Sequence, residues 1–108
     1  MPALTETTYF VLAALAQEPM HGYGVAKHVA ELSGDRVKLS AGTLYGVLGR
    51  LVERDQIVED RVEVVGGRAR RYYRLTDEGR RVLTEETERL RSTAVVVRER
   101  LEAHIERG

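Results

Sequence analysis

The sequence predicts a mainly α fold of the α+β class: three short helices, a two-stranded hairpin and one long final helix. Three observations predict it. Leu44, Val47, Leu48, Leu51 and Val52 recur at the three- and four-residue spacing of an amphipathic helix. Two strand-like runs, Ile57 to Val65 and Ala69 to Leu75, flank Gly66-Gly67, the turn residues of a hairpin. From Asp77 to about Arg107 one helical pattern continues for about thirty residues, or about 45 Å.

The first helix is expected over residues 3–17, with Thr5 or Thr7 as its cap. Tyr9 to Ala16 is apolar almost all round, so this helix needs burial on more than one side. One side can face its own core. The other requires a second partner, and a chain of 108 residues has little further material to supply one. Glu18-Pro19-Met20 ends the helix, because the residue before a proline is pushed out of the helical region.

A second helix begins at His21-Gly22-Tyr23-Gly24 and runs through Ser33, with Val25, Ala26, Val29 and Leu32 as its inner stripe. Ser33-Gly34-Asp35 breaks it, and Gly34 suits a left-handed terminator. A short extended piece, Arg36 to Leu39, leads to Ser40, the cap of the third helix.

The third helix runs to about Arg54 and is the stretch on which the rest is organised. Its buried stripe is Leu44, Val47, Leu48, Leu51 and Val52. Its other face carries Gly42, Thr43, Tyr45, Gly46, Gly49 and Arg50. Each interior glycine costs roughly 1 kcal/mol against alanine, a cost that fits a surface something must approach closely. A hydroxyl, a tyrosine, glycines and an arginine suit a phosphate-lined groove. The helix N-terminus adds free N–H donors and a partial positive charge. The stretch reads as a DNA recognition helix; the alternative is a core helix that tolerates its glycines.

The hairpin follows, with Val62, Val64, Tyr73 and Leu75 expected on one face. Its tip, Val65 to Arg71, sets Arg68, Arg70 and Arg71 beside Gly66 and Gly67. Such a tip can follow a phosphate backbone or enter a minor groove. Thr76-Asp77-Glu78-Gly79 caps the last helix, with acidic residues in its first turn.

That helix carries Leu83, Leu90, Ala94, Val97, Leu101 and Ile105. With Thr87 they step by four, three, four, three and four as far as Leu101, the seam of a coiled coil. Val95 and Val96 widen the stripe. A dimer is expected, formed by Tyr9 and Leu12 of the first helix and by the seam of the last. Residues 1–76 then form a DNA-binding domain and residues 77–108 a dimerisation helix.

Formal net charge is zero, from 17 basic and 17 acidic residues, but the charges are unevenly placed. Residues 1–37 carry two basic and four acidic side chains, residues 38–81 ten and seven, and residues 82–108 five and six. The positive excess therefore lies on the recognition helix and hairpin, and DNA affinity should be strongly salt-sensitive. Without cysteine there is no disulfide framework, thiolate nucleophile or thiolate zinc site. No run approaches a membrane span, so a cytoplasmic protein without membrane contact is expected. His21, His28 and His104, the only histidines, lie far apart with no nucleophile or carboxylate pair beside them. Catalysis, a metal site and a cofactor are not expected.

Three helices followed by a short hairpin is the winged helix-turn-helix order, with the third helix in the major groove and the hairpin tip as the wing. Three stretches carry a family resemblance: MHGYGVAKHV, LSAGTLYGVLGRLVERD and GRARRYYRLTDEG. Together with the long last helix they resemble the PadR family of bacterial transcriptional regulators, in its short form with a single C-terminal helix. The resemblance covers roughly residues 4–90.

It implies a homodimer of winged domains, the first helix packing with the partner's last, and repression through a palindromic operator. It also implies DNA contacts at Tyr23, at Lys38, Ser40, Thr43 and Tyr45, and at Gly67, Arg68 and Arg70; the residues themselves add Arg50 and Arg71. A small hydrophobic or aromatic effector near the dimer interface is permitted. The chain departs from the family pattern at Asp55, where glycine is common, and at Ala41, where proline is. A winged domain used only for protein contact is the competing reading, and the cationic wing argues against it.

Overall fold

The computed structural model describes residues 4–107. Among these the elements are α1 (Glu6–Ala14), β1 (Met20–His21), α2 (Gly22–Leu32), α3 (Ala41–Glu53), β2 (Ile57–Val65), β3 (Arg68–Leu75) and α4 (Asp77–Arg107). This is a winged helix-turn-helix with a long C-terminal helix. Thr5 caps α1 by accepting the Thr8 N–H, and α1 is shorter than expected, ending at Ala14. The expected start at Ala3 lies outside the described residues.

The sheet has a third strand that the sequence reading did not contain. Met20 and His21 pair with Tyr73 and Tyr72 of β3, giving the antiparallel order β1-β3-β2. In β2 the register shifts between Glu59 and Arg61. The bulge turns the alternation over, so Ile57 and Val62 fall on one face although the step from one to the other is an odd five residues. Val62, Val64, Tyr73 and Leu75 do share that face. Only Tyr73 and Leu75 are buried; Val62 and Val64 are exposed, because the hairpin projects beyond the core.

One core joins α1, α2, α3 and the base of the hairpin through Val11, Leu12, Leu15, Val25, Val29, Leu44, Leu48, Leu51 and Ile57. Two residues expected inside are exposed, Leu32 and Val52. Leu32 is the last residue of α2, past the core, and Val52 lies at the edge of the α3 stripe beside the buried Leu51. Leu12 was expected at a dimer interface, yet it is 0% exposed within its own chain. It has no surface left to offer a partner.

The turn between α2 and α3 is built around Ser33. Its buried hydroxyl accepts the Val37 N–H at 3.0 Å, and Gly34 and Asp35 follow in left-handed conformation. The end of α3 is closed by Asp55, at φ 58°, a conformation that Asp tolerates better than most residues. Gly66 and Gly67, both at positive φ, form the wing turn, where only glycine adopts such angles without strain.

The first half of α4 packs against the domain. Leu83 lies half-buried against the core, and Arg80 donates to the Ala16 carbonyl at 3.1 Å. The Tyr9 hydroxyl lies 2.7 Å from Thr87 Oγ1. Because Thr87 gives its proton to the Leu83 carbonyl, Tyr9 is the donor. Beyond Leu90 the helix leaves the domain and extends the molecule to 65 Å. Ala94, Val95, Val96, Val97, Leu101 and Ile105 are all exposed there.

Candidate nucleic-acid interface

The site is assembled at the N-terminal ends of α2 and α3 and on the wing. Ser40 caps α3: its Oγ accepts the Thr43 N–H at 3.2 Å and donates to Thr43 Oγ1 at 3.0 Å. The serine hydroxyl is thereby committed to the helix, and the hydroxyl proton of exposed Thr43 is the one left to donate outward. His21 caps α2 through Nδ1, which accepts the Gly24 N–H at 3.3 Å. An accepting Nδ1 puts the ring proton on Nε2.

Gly22 brings the two helices together. A Cβ at residue 22 would meet the Tyr45 hydroxyl at 2.9 Å, so the Tyr45 ring lies directly over the first turn of α2. Tyr45 nevertheless remains 57% exposed, and Tyr23 is 76% exposed. Glycines 42 and 49 have nothing within 4 Å of the space a side chain would take. Internal packing does not require them, and the backbone of this face is open to the outside. Over Gly46 lies the Arg50 guanidinium, 3.6 Å from the position of an added Cβ.

A groove of about 580 Å³ is lined by His21, Gly22, Tyr23, Tyr45, Arg68, Ala69, Arg70, Arg71 and Tyr73. It unites five of the residues singled out in the sequence: Tyr23, Tyr45, Arg68, Arg70 and Arg71. Lys38, Ser40, Thr43, Arg50 and Gly67 are exposed outside it. His21, Gly22 and Tyr73 were missed as members. The only signal for Gly22 was its place before Tyr23, since nothing local reveals that a ring from α3 rests on it.

The arginines of the hairpin divide into two sets. Arg61 pairs with Asp60 at 2.8 Å and Glu63 at 2.7 Å and stacks 4.0 Å from the Tyr72 ring centroid. Arg74 lies 3.4 Å from Asp60, and Arg71 lies 3.8 Å from Glu59. The bond from Arg61 holds the Glu63 carboxyl below its usual range. Among the described residues, Arg68 and Arg70 make no direct ion pair, although Glu63 stands opposite Arg70 across the hairpin and feels its charge. Burial, and then the Arg70 charge, push the His21 pKa down from its ordinary value, which keeps the imidazole neutral.

A second, smaller groove of about 360 Å³ lies between α1 and α4, lined by Leu4, Glu6, Tyr9, Phe10, Arg36, Glu86, Arg89 and Leu90. Its charged residues pair with each other, Glu6 with Arg36 and Glu86 with Arg89. No group of residues arranged to hold a metal ion occurs among the described residues. No described helix is long and apolar enough to cross a membrane.

Residues 11–85 match the model of the transcriptional regulator PadR-like family. A transcriptional regulator of Mycobacterium tuberculosis is 40% identical over 84 residues, 78% of this chain and 75% of that protein. Among solved structures, a PadR family transcription regulator from hypervirulent Clostridium difficile is 27% identical with a TM-score of 0.74, covering 90% of this chain and 99% of that one. The fold is also that of Bacillus subtilis PadR solved in complex with operator DNA, at 22% identity and a TM-score of 0.68, over 78% of this chain and 47% of that one. A three-helix core with a cationic wing, matched along most of its length, makes this chain a member of the PadR-like family of transcriptional regulators.

Proposed function

We propose that the chain is a sequence-specific DNA-binding repressor that acts as a homodimer on a palindromic operator. The observation that carries this reading is the groove in which Tyr23 and Tyr45 meet the unpaired Arg68 and Arg70 beside the start of α3. Thr43, Tyr45 and Arg50 reach base edges or phosphates from α3, with Lys38 and Ser40 at its entry and Tyr23 on a phosphate. The wing contributes Gly67, Arg68, Arg70 and, through a charge already shared with Glu59, Arg71. The open backbone at Gly42 and Gly49 permits close approach of the duplex. The Bacillus subtilis neighbour, named as an operator complex, supports the same reading.

Dimerisation through α4 is part of the proposal. Leu90, Ala94, Val97, Leu101 and Ile105 present an apolar stripe that the chain itself does not cover, with Tyr9 and Leu83 beside its domain-proximal end. Residues 1–76 then bind DNA, and residues 77–108 set half-site spacing at about one helical turn or a multiple of it. A small hydrophobic effector in the groove between α1 and α4 would act by changing the angle of the two domains.

The test is fluorescence anisotropy with DNA from just upstream of the chain's own gene, at several salt concentrations and with excess non-specific competitor. Saturable binding of two chains per site that survives competitor is expected. Weak binding that competitor abolishes would count against sequence-specific recognition of that DNA.

A further inference from the structure

We propose that His21 is a positioning residue of the DNA interface, holding Tyr23 ready for a phosphate. The inference rests on the reading of the groove as a DNA interface. His21 holds Tyr23 in two ways. Its Nδ1 accepts the Gly24 N–H and closes the first turn of α2 around Tyr23. Its ring also lies parallel to the Tyr23 ring, at an interplanar angle of 6° and a centroid distance of 6.4 Å. Among the described residues, no other aromatic ring is stacked on Tyr23.

His21 is itself fixed from a different direction. The short strand β1 sets it opposite Tyr72 of β3, and the two rings meet edge to face at 5.4 Å and 81°. The imidazole therefore ties α2 to the wing strand, and the Tyr23 side chain is referenced to both. An exposed tyrosine without such a neighbour gives up its rotamer freedom when it binds, at a loss of affinity. A cap alone could be supplied by Asn, Ser or Asp. What histidine adds is the ring.

The groups facing the imidazole are Tyr23 from α2, Tyr72 and Arg70 from β3, and Glu63 from β2. Partial burial and then Arg70 favour the neutral ring, and Glu63 opposes them. The neutral form is the one that can cap, since both ring nitrogens donate once the ring is charged.

The experiment separates capping from positioning with a double-mutant cycle. The probe is a mixed-sequence DNA duplex at low salt, where phosphate contacts carry binding. His21→Asn retains a capping oxygen and should unfold at the wild-type temperature, yet bind roughly two- to tenfold more weakly. In the Tyr23→Ala background the same change should cost nothing further. His21→Ser, a second capping variant, should behave like His21→Asn. Wild-type binding by both capping variants would overturn the proposal, as would an undiminished loss in the Tyr23→Ala background. A folded wild-type chain that fails to bind the duplex would instead overturn the DNA reading, and this inference with it.

Discussion

Gly79 stands against the backbone carbonyl of Gln56: a Cβ at residue 79 would lie 1.9 Å from that oxygen. The same turn receives the cap of α4. The Thr76 N–H donates to the Gln56 carbonyl at 3.1 Å, and the Thr76 hydroxyl donates to the Asp55 carbonyl at 2.5 Å while accepting the Gly79 N–H at 3.0 Å. The turn after α3 and the start of α4 are thus locked to one another by these bonds and by the close contact at Gly79. Gly79→Ala would ordinarily favour a helix, but here backbone must move. The expected outcome is a loss of about 1–3 kcal/mol, read as a fall of about 4–8 °C in Tm per kcal/mol. An unchanged or raised Tm would show that the contact is not tight in solution.

Gly22 offers the opposite case. The atom in the way of a Cβ there is the Tyr45 hydroxyl, the far end of a side chain that can swing aside. Gly22→Ala should leave the melting temperature close to wild type and weaken DNA binding about fivefold, the worth of one displaced hydrogen bond. Anisotropy and thermal melting on the same sample check both halves.

The wing arginines should differ in their salt dependence. Arg68→Ala and Arg70→Ala should each lower the slope of log affinity against log salt by about 1. Arg61→Ala and Arg74→Ala should leave it nearly unchanged, because Asp60 and Glu63 already share those charges. Wild-type slopes for Arg68→Ala and Arg70→Ala would remove the wing from the interface.

Leu101 is 63% exposed on the part of α4 that extends beyond the domain, so its replacement isolates assembly from folding. Leu101→Glu should convert a dimer to a monomer in sedimentation equilibrium, since each chain loses about 1.5–3 kcal/mol of apolar burial and gains a charge to bury. The near-domain melting transition should survive. A variant that sediments like the wild type would rule out this stretch of α4 as the interface.

The cap of α2 should be acid-sensitive. Burial and Arg70 depress the His21 pKa below 6.5 in the folded chain. Protonation therefore favours the unfolded state. The stability is fully present above pH 6.5 and is lost as pH falls from there through the folded value. His21→Asn has no such group, so the wild type should lose Tm relative to it between pH 7 and more acid solution. A constant difference in Tm would show that the imidazole does not titrate in the cap.

Much of this molecule was legible because its elements announce themselves locally. The strands about Gly66-Gly67 and the start of α4 at Asp77 fell where composition placed them, since turn glycines and caps act within a few residues. The stripe of α3 was readable apart from Val52, and that of α2 apart from Leu32. Leu32 lies at a helix end, where periodicity continues but the core does not, and Val52 lies at the edge of a stripe that the core meets there only through Leu51. Strand β1 was illegible for a different reason. Two residues carry no period, and Met20 and His21 become a strand only because β3 lies beside them.

The candidate site divides in the same way. Residue type and order marked Tyr45 and the arginine-rich wing as candidates for DNA contact, because a cationic turn beside a glycine-bearing helix has a direct physical use, and the family resemblance added Tyr23; folding places them on one groove. Which arginines are ion-paired could not be read, as that depends on the Asp60 bulge and on the carboxylates facing each strand. Nor could the burial of Leu12 be read from an apolar helix with two sides to satisfy; the face that meets the core is chosen by α2, α3 and α4 together. Sequence alone determined the order of the four helices and the hairpin, the family and the chemistry of the candidate DNA-contact residues, because these depend on local spacing and residue type. Only the tertiary structure decided that His21 and Gly22 belong with them, because the His21 ring meeting Tyr72 of β3 and the Tyr45 ring resting over Gly22 are contacts between segments brought together by folding.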